Sequence, residues 1–211
     1  MPGKRNPEDK AGRLIGAVGE ILSEKGYQGL GMNKIAIAAG VSKPMIYRYF
    51  GGLNGLLKAY IQHTDSWLPY FQELKVPENP APEQLKTIFI QVLQAQFRFM
   101  QKSKEMQELI IWEISETNPL MRTACDAREK QGARLIELTD EYFRNSGISL
   151  KAILALLVGG VYFSVLHDSA QGGTLAGIDL RNEKDFDAML KAIEQIVRWA
   201  FDMAAQSAGN N

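Results

Sequence analysis

The sequence predicts an all-α protein: an N-terminal three-helix domain with a helix-turn-helix, followed by a larger helical domain. Three observations carry this. Apolar residues recur at threes and fours through most of the 211 residues, the spacing of one helix face. The period-two alternation of a half-buried strand persists nowhere over a useful length. Residues 26–50, GYQGLGMNKIAIAAGVSKPMIYRYF, read as two short helices joined by a tight turn. The second opens with polar and aromatic side chains that suit the DNA major groove.

The elements follow in order. Pro2, Gly3, Asn6 and Pro7 disfavour regular structure, so residues 1–8 read as an arm. A first helix is predicted from about Glu8 to Lys25, with Leu14, Ile15, Val18, Ile21 and Leu22 on one face and Gly26 as its stop. A second fits Asn33 to Ala39, turning Ile35, Ala36 and Ala39 inward. Gly40 can take the left-handed conformation of the turn. Val41 fills the angle, and Ser42 is placed to cap the third helix, in whose first turn Pro44 loses no hydrogen bond. Gly51-Gly52 ends that helix, and a fourth is expected from about Leu53 to about Leu68. The stretch KVPENPAPE, 75–83, excludes a helix. Further helices are predicted at about 83–102, 103–117, 119–145, 150–169 and 183–205, making about nine. The expected division is 1–52 for the arm and helix-turn-helix and 53–211 for the larger domain.

Composition excludes little but orients the reading. The chain is 45% hydrophobic and 23% charged, with no net charge. Residues 1–60 nevertheless carry nine Lys or Arg against four acids, so a +5 end is attached to a −5 body. That asymmetry is a plausible footprint for phosphate contacts. Cys125 is the only cysteine, so no disulfide can form within the chain. MPGKRNPEDK lacks the apolar run of a signal peptide. The longest apolar run, Ile153 to Val165, falls short of the ~20 residues of a membrane helix. The expectation is a cytoplasmic protein with no membrane partner.

Residues Asn33 to Phe50, NKIAIAAGVSKPMIYRYF, with the preceding long helix and the Gly26-Tyr27 pair, resemble the helix-turn-helix of the TetR family of bacterial transcriptional regulators. The resemblance covers roughly the first 60 residues. It implies that the positions of Lys43, Pro44, Met45 and Tyr47 lie near base edges and those of Tyr47 and Tyr49 meet the DNA backbone. The residues themselves agree. Ile46 and Phe50 are four apart and share a face, leaving Lys43, Met45, Tyr47, Arg48 and Tyr49 more exposed. Lys43 can donate to guanine and Met45 can touch a thymine methyl. Arg48 can serve base edges or the backbone, and Lys4 and Arg5 on the arm can enter a minor groove or meet phosphates. Four positions depart from the family pattern. Gly31 replaces a Ser or Thr cap, Gly52 another cap, Leu53 a phosphate-contacting Lys, and Gly55 a helix former. They are consistent with weaker operator binding.

One recognition helix reads too few base pairs for specificity, and two-fold dimers supply a second. The resemblance implies pairing through the last two helices. Leu154, Leu157, Val158, Val161, Tyr162, Ile193 and Val197 are the expected interface, with Gly159 and Gly160 allowing close approach. It also implies a small-molecule pocket in the larger domain. Candidate lining residues are Trp67, Phe71, Phe89, Phe97, Met100, Met106, Ile110, Trp112, Met121 and Tyr142, which suit an apolar or aromatic ligand, with Glu113, Glu116 or Arg122 as polar anchors. An ordinary hydrophobic core explains the same residues.

His63 and His167 are the only histidines and are far apart, and no cysteine stands at metal-ligand spacing. Glu113 with Glu116, and Asp126 with Glu129, share helix faces in a spacing common on solvated surfaces. The glycines at 159–160 and 172–173 lack the setting of a phosphate loop. No metal, cofactor or catalytic role is therefore expected. The reading is a sequence-specific DNA-binding regulator, a repressor released from its operator by a small molecule. The alternative is a helical small-molecule-binding or interaction protein with weak or lost operator binding.

Overall fold

The computed structural model describes residues 9–64 and 76–209, which fall into two compact units. One holds residues 9–64 with Lys104–Glu129. The other holds residues 76–103 and 130–209. The expected end of the fourth helix, near Leu68, lies outside the described residues.

In the first unit α1, Lys10–Lys25, begins after Asp9, whose carboxylate accepts from the amides of Ala11 and Gly12 at 3.1 Å each. It ends at Gly26, which takes φ +64° and donates to the Leu22 carbonyl. Its buried face is Leu14, Ala17, Val18, Ile21 and Leu22. A single 3-10 turn, Tyr27–Gly29, follows. The sequence pattern is too short to announce it. Then come α2, Met32–Ala39; α3, Pro44–Phe50; and α4, Leu53–Thr64. Helix α1 packs against α2 and α4, and α3 packs on α4.

Ser42 does not cap α3 with its side chain. The backbone carbonyls of Ser42 and Lys43 accept from Met45 and Ile46 instead, and Lys43 already has helical dihedrals. Gly55, expected only to weaken its helix, has a packing reason. A Cβ there would lie 1.8 Å from the Phe50 carbonyl oxygen, so α4 approaches the end of α3 more closely than any side chain permits.

The first unit also takes α6, Lys104–Ser115, which packs against α1, and the first part of α7, Pro119–Glu137. Tyr27 stacks on Trp112 with ring centres 5.8 Å apart and planes 4° apart. The Tyr60 hydroxyl donates to Glu105 at 3.1 Å. Burial, and next the Glu105 charge, push that phenol far above its ordinary pKa.

The second unit is built on α5, Pro82–Lys102, which packs against α9, Leu150–Gln171, and α10, Glu183–Gly209. Phe97 stacks on Phe186 at 4.6 Å, and Gln96 donates to the Tyr162 hydroxyl at 2.7 Å. The buried Lys86 ammonium pairs with Glu83 at 2.8 Å and Asp202 at 3.1 Å, tying α5 to α10.

Two expectations about this unit change. The helix foreseen over 119–145 breaks, and α8, Asp140–Phe143, is a separate turn. At the break the Thr139 amide and hydroxyl both bond the Ile136 carbonyl, which tightens the chain out of the α-helical pattern. The described residues thus form ten helices rather than nine. Helix α9 has 22 residues and is long and apolar enough to cross a membrane by length and composition. The apolar run reads as shorter because it is only part of one helix, which Gly159 and Gly160 do not interrupt. Leu150, Leu154, Val161, Ser164 and Val165 of this helix are buried within the protein.

Candidate functional site

The turn between α2 and α3 is held by three groups. Gly40 sits at φ +60°, ψ +40°, with its amide directed at the Ala36 and Ile37 carbonyls. The Val41 amide bonds the Ala36 carbonyl at 3.0 Å. Arg13, reaching across from α1, donates to the Ala39 carbonyl at 2.5 Å and the Gly40 carbonyl at 2.9 Å. A cation at the carboxyl end of α2 is favourable by charge as well as by hydrogen bonding. Sequence reading missed Arg13 because its partners lie more than twenty residues away.

This turn sets the orientation of α3. Ile46 is fully buried and Phe50 is half-buried, fixing the helix from behind. Lys43, Pro44, Arg48 and Tyr49 are exposed, Tyr47 is 54% exposed, and Met45 is half-buried. Lys43 and Arg48 form no ion pair among the described residues. The outward face therefore carries two free cations and two phenols, donors matched to base edges and phosphate oxygens. Leu53 is half-buried and offers no charge at the start of α4. Lys4 and Arg5 lie outside the described residues.

The candidate pocket residues divide between the two units. Ile110, Trp112 and Met121 are buried in the first, as is Met106. Phe89, Phe97 and Met100 are buried in the second, where Tyr142 is half-buried and donates to the Phe201 carbonyl. Trp67 and Phe71 lie outside the described residues. The polar anchors are engaged. Glu113 pairs with Arg128, Glu116 accepts from the Trp112 indole at 2.5 Å, and Arg122 pairs with Asp126. Burial first, then Glu113, push the Cys125 thiol up, the opposite of what a reactive thiolate needs. A groove of about 190 Å³ lies inside the first unit, lined by Lys58, Ile61 and Gln62 of α4 and Leu120, Thr123, Ala124 and Ala127 of α7. Its lining sets Ile61, Leu120, Ala124 and Ala127 beside Lys58, Gln62 and Thr123, drawn from two helices far apart in the chain, so no local pattern announced it.

The residues expected at the dimer interface face mostly inward. Leu154, Val161, Ile193 and Val197 are buried within the single chain, and Leu157, Val158 and Tyr162 are half-buried. Helix α9 is apolar nearly all round, so periodicity could not separate its two faces. The outward apolar side chains are Leu156 and Phe163 on α9, with Gly159 and Gly160 between them, and Trp199 and Met203 on α10. Leu156 is 77% exposed, and Phe163 and Trp199 are each 59% exposed.

A short helix braced by a left-handed glycine turn, with cations and phenols directed outward, defines a helix-turn-helix DNA-binding protein. The family model described as "Bacterial regulatory proteins, tetR family" matches residues 15–60. The chain is 28% identical over 201 residues to the HTH-type transcriptional activator FasR of Mycolicibacterium smegmatis, covering 94% of this chain and 85% of that protein. Among solved structures it resembles the transcriptional regulator FadR of Bacillus subtilis in complex with stearoyl-CoA, with a TM-score of 0.61, 17% identity and coverage of 88% and 96% of the two chains. It also resembles the fatty acid degradation regulator FadR of Bacillus halodurans, with a TM-score of 0.59, 18% identity and coverage of 90% and 94%. The helix-turn-helix segment thus matches the TetR-family model, and the chain along its length is similar to DNA-binding transcriptional regulators.

Proposed function

We propose that the chain acts in the cytoplasm as a homodimer on a near-palindromic operator, and that a largely apolar small molecule changes its hold on that DNA. The observation that carries the DNA half is the contrast across α3, with Ile46 buried and Lys43, Tyr47 and Arg48 exposed. Residues 1–52 do the reading and residues 53–211 bind effector and partner. The outward set of Leu156, Phe163, Trp199 and Met203 supports pairing, with Leu157, Val158 and Tyr162 at its edges, since so many exposed apolar side chains on two helices mark an association surface.

The ligand proposed is a fatty-acyl compound. The stearoyl-CoA held by the B. subtilis neighbour supports this class, as do the apolar candidates Ile110, Trp112 and Met121 of the first unit. The groove beside Ile61 offers a route of action, because α4 packs directly on α3. A wedge there displaces the reading helix without leaving the first unit. Whether release or capture of DNA silences a gene depends on where the operator lies relative to the promoter, which no residue of the chain encodes. The proposed output is repression relieved by ligand, and a reporter assay with the operator placed in its natural promoter reads the sign.

Selection of bound sequences from random duplex DNA, at stated salt, tests the DNA half. Enrichment of two half-sites in inverted repeat is expected. Recovery of no sequence preference sinks it and favours a ligand-binding protein without an operator. A chain-length series of acyl-CoAs, followed by anisotropy of the labelled operator, tests the ligand half. A saturable, length-dependent change is expected.

A further inference from the structure

The groove of about 190 Å³ between α4 and α7 has one charged group in its wall, Lys58. Its apolar part comes from Ile61 of α4 and from Leu120, Ala124 and Ala127 of α7. Ile61 and Ala124 are buried, and Leu120 and Ala127 are half-buried. The wall holds no acid, and α4 has none along its whole length. On α7, Asp126 is already paired with Arg122 at 3.1 Å. The exposed Lys58 ammonium has no ion pair or hydrogen bond among the described residues, and neither has the exposed Gln62 carboxamide.

Lys58 and Gln62 are four apart and share one face of α4, so a cation and an amide donor stand together at the water's edge. Ala124 and Ala127 are three apart on α7, and their small side chains leave room between the helices. The groove therefore has an apolar interior and a donor pair at its exposed side. That is the complement of an amphiphile with a negative head. At about 30 Å³ for each water-sized group, the volume takes about six methylenes. A chain as long as stearoyl overruns it.

We propose that this groove binds a medium-chain carboxylate. The alkyl chain lies along Ile61, Leu120, Ala124 and Ala127, and the carboxylate accepts from Lys58 and Gln62. The assignment deepens the acyl-ligand reading above and rests on it for any effect on DNA, while occupancy of the groove is measured separately.

The test uses the full-length protein with labelled methyl groups at Ile61 and Leu120. It is titrated at matched ionic strength with octanoate, octan-1-ol, n-octylammonium and octanoyl-CoA. Saturable shifts of both methyls are expected. Octanoate should bind about fivefold more tightly than octan-1-ol, the upper scale of an ion pair with an exposed lysine, and n-octylammonium more weakly than either. Octanoyl-CoA, whose thioester carries no charge, should bind like the alcohol. From butanoate to octanoate affinity should rise by up to about fourfold per methylene, and dodecanoate should gain little more. Lys58→Gln should bring octanoate down to the alcohol, and Lys58→Arg should restore the difference. Octan-1-ol binding as tightly as octanoate overturns the proposal, as does Lys58→Gln binding octanoate like the parent. Octanoyl-CoA binding more tightly than octanoate overturns the carboxylate assignment. Operator anisotropy separates this site from its consequence. Octanoate that fills the groove without changing operator affinity keeps the site and removes the effector reading. An operator response to acyl-CoA that leaves both methyls unmoved keeps the effector reading and removes the site.

Discussion

Ile46 and Tyr47 are neighbours in the chain and opposites in environment, one fully buried and the other more than half exposed. An apolar side chain that fixes the helix costs nothing to hide, and the phenol proposed to meet phosphate is left in water, where DNA could reach it. Tyr47→Ala should therefore lower operator affinity by about tenfold or more while leaving oligomeric state unchanged. Fluorescence anisotropy and analytical ultracentrifugation read the two quantities, and parental affinity in the variant would remove Tyr47 from the site. Lys43→Ala should flatten base preference more than it changes the salt slope. Gly31 allows a gain. It precedes α2 with extended backbone, no side-chain cap and open space where a Cβ would stand. Gly31→Ser supplies a cap oxygen and should stabilise by about 0.5 kcal/mol, a rise of about 1–2 °C in Tm. A melt no higher than the parent's would show that the α2 amides are already satisfied.

At the scale of elements, what was legible in the sequence was local. Gly26, Gly40 and Pro44 declare their turns because a positive φ or a missing N–H is a property of one residue. The outward set on α3 followed from the four-residue spacing of Ile46 and Phe50. What was not legible depends on distant partners. Arg13 reads as an ordinary helix residue until α1 crosses the end of α2. Gly55 reads as a weakness until α4 meets Phe50. Thr139 breaks a helix that its neighbours' periodicity continues. Arg13 gives the sharpest test. Arg13→Met keeps the stem and removes the donors to Ala39 and Gly40, so the domain should lose about 1–2 kcal/mol. Amide exchange at Gly40 and Val41 should accelerate more than exchange within α1. Uniform acceleration across the unit would mean that Arg13 adds stability without specifying the turn.

For the whole molecule, the question is what covers α9 and α10. Each helix gives one face to its own unit, through Leu154 and Val161 or Ile193 and Val197, and each has apolar side chains left over on the other. Gly159 and Gly160 have no atom within 4 Å of where a Cβ would stand, so this stretch of α9 is open to a close neighbour. The proposed second copy would satisfy that face and would also supply the second reading helix that a palindromic site needs. Phe163→Asp with Trp199→Asp places a charge on the exposed side of each helix without touching the buried faces. The double variant should sediment as a monomer and keep its helical circular dichroism. It should also bind a full operator about a hundredfold or more weakly, because the second half-site no longer benefits from being tethered to the first. Its affinity for an isolated half-site should match the parent's. A dimer that survives the double substitution would move the interface elsewhere, while a monomer with undiminished operator affinity would leave dimerisation in place as an assembly property and remove it from DNA reading.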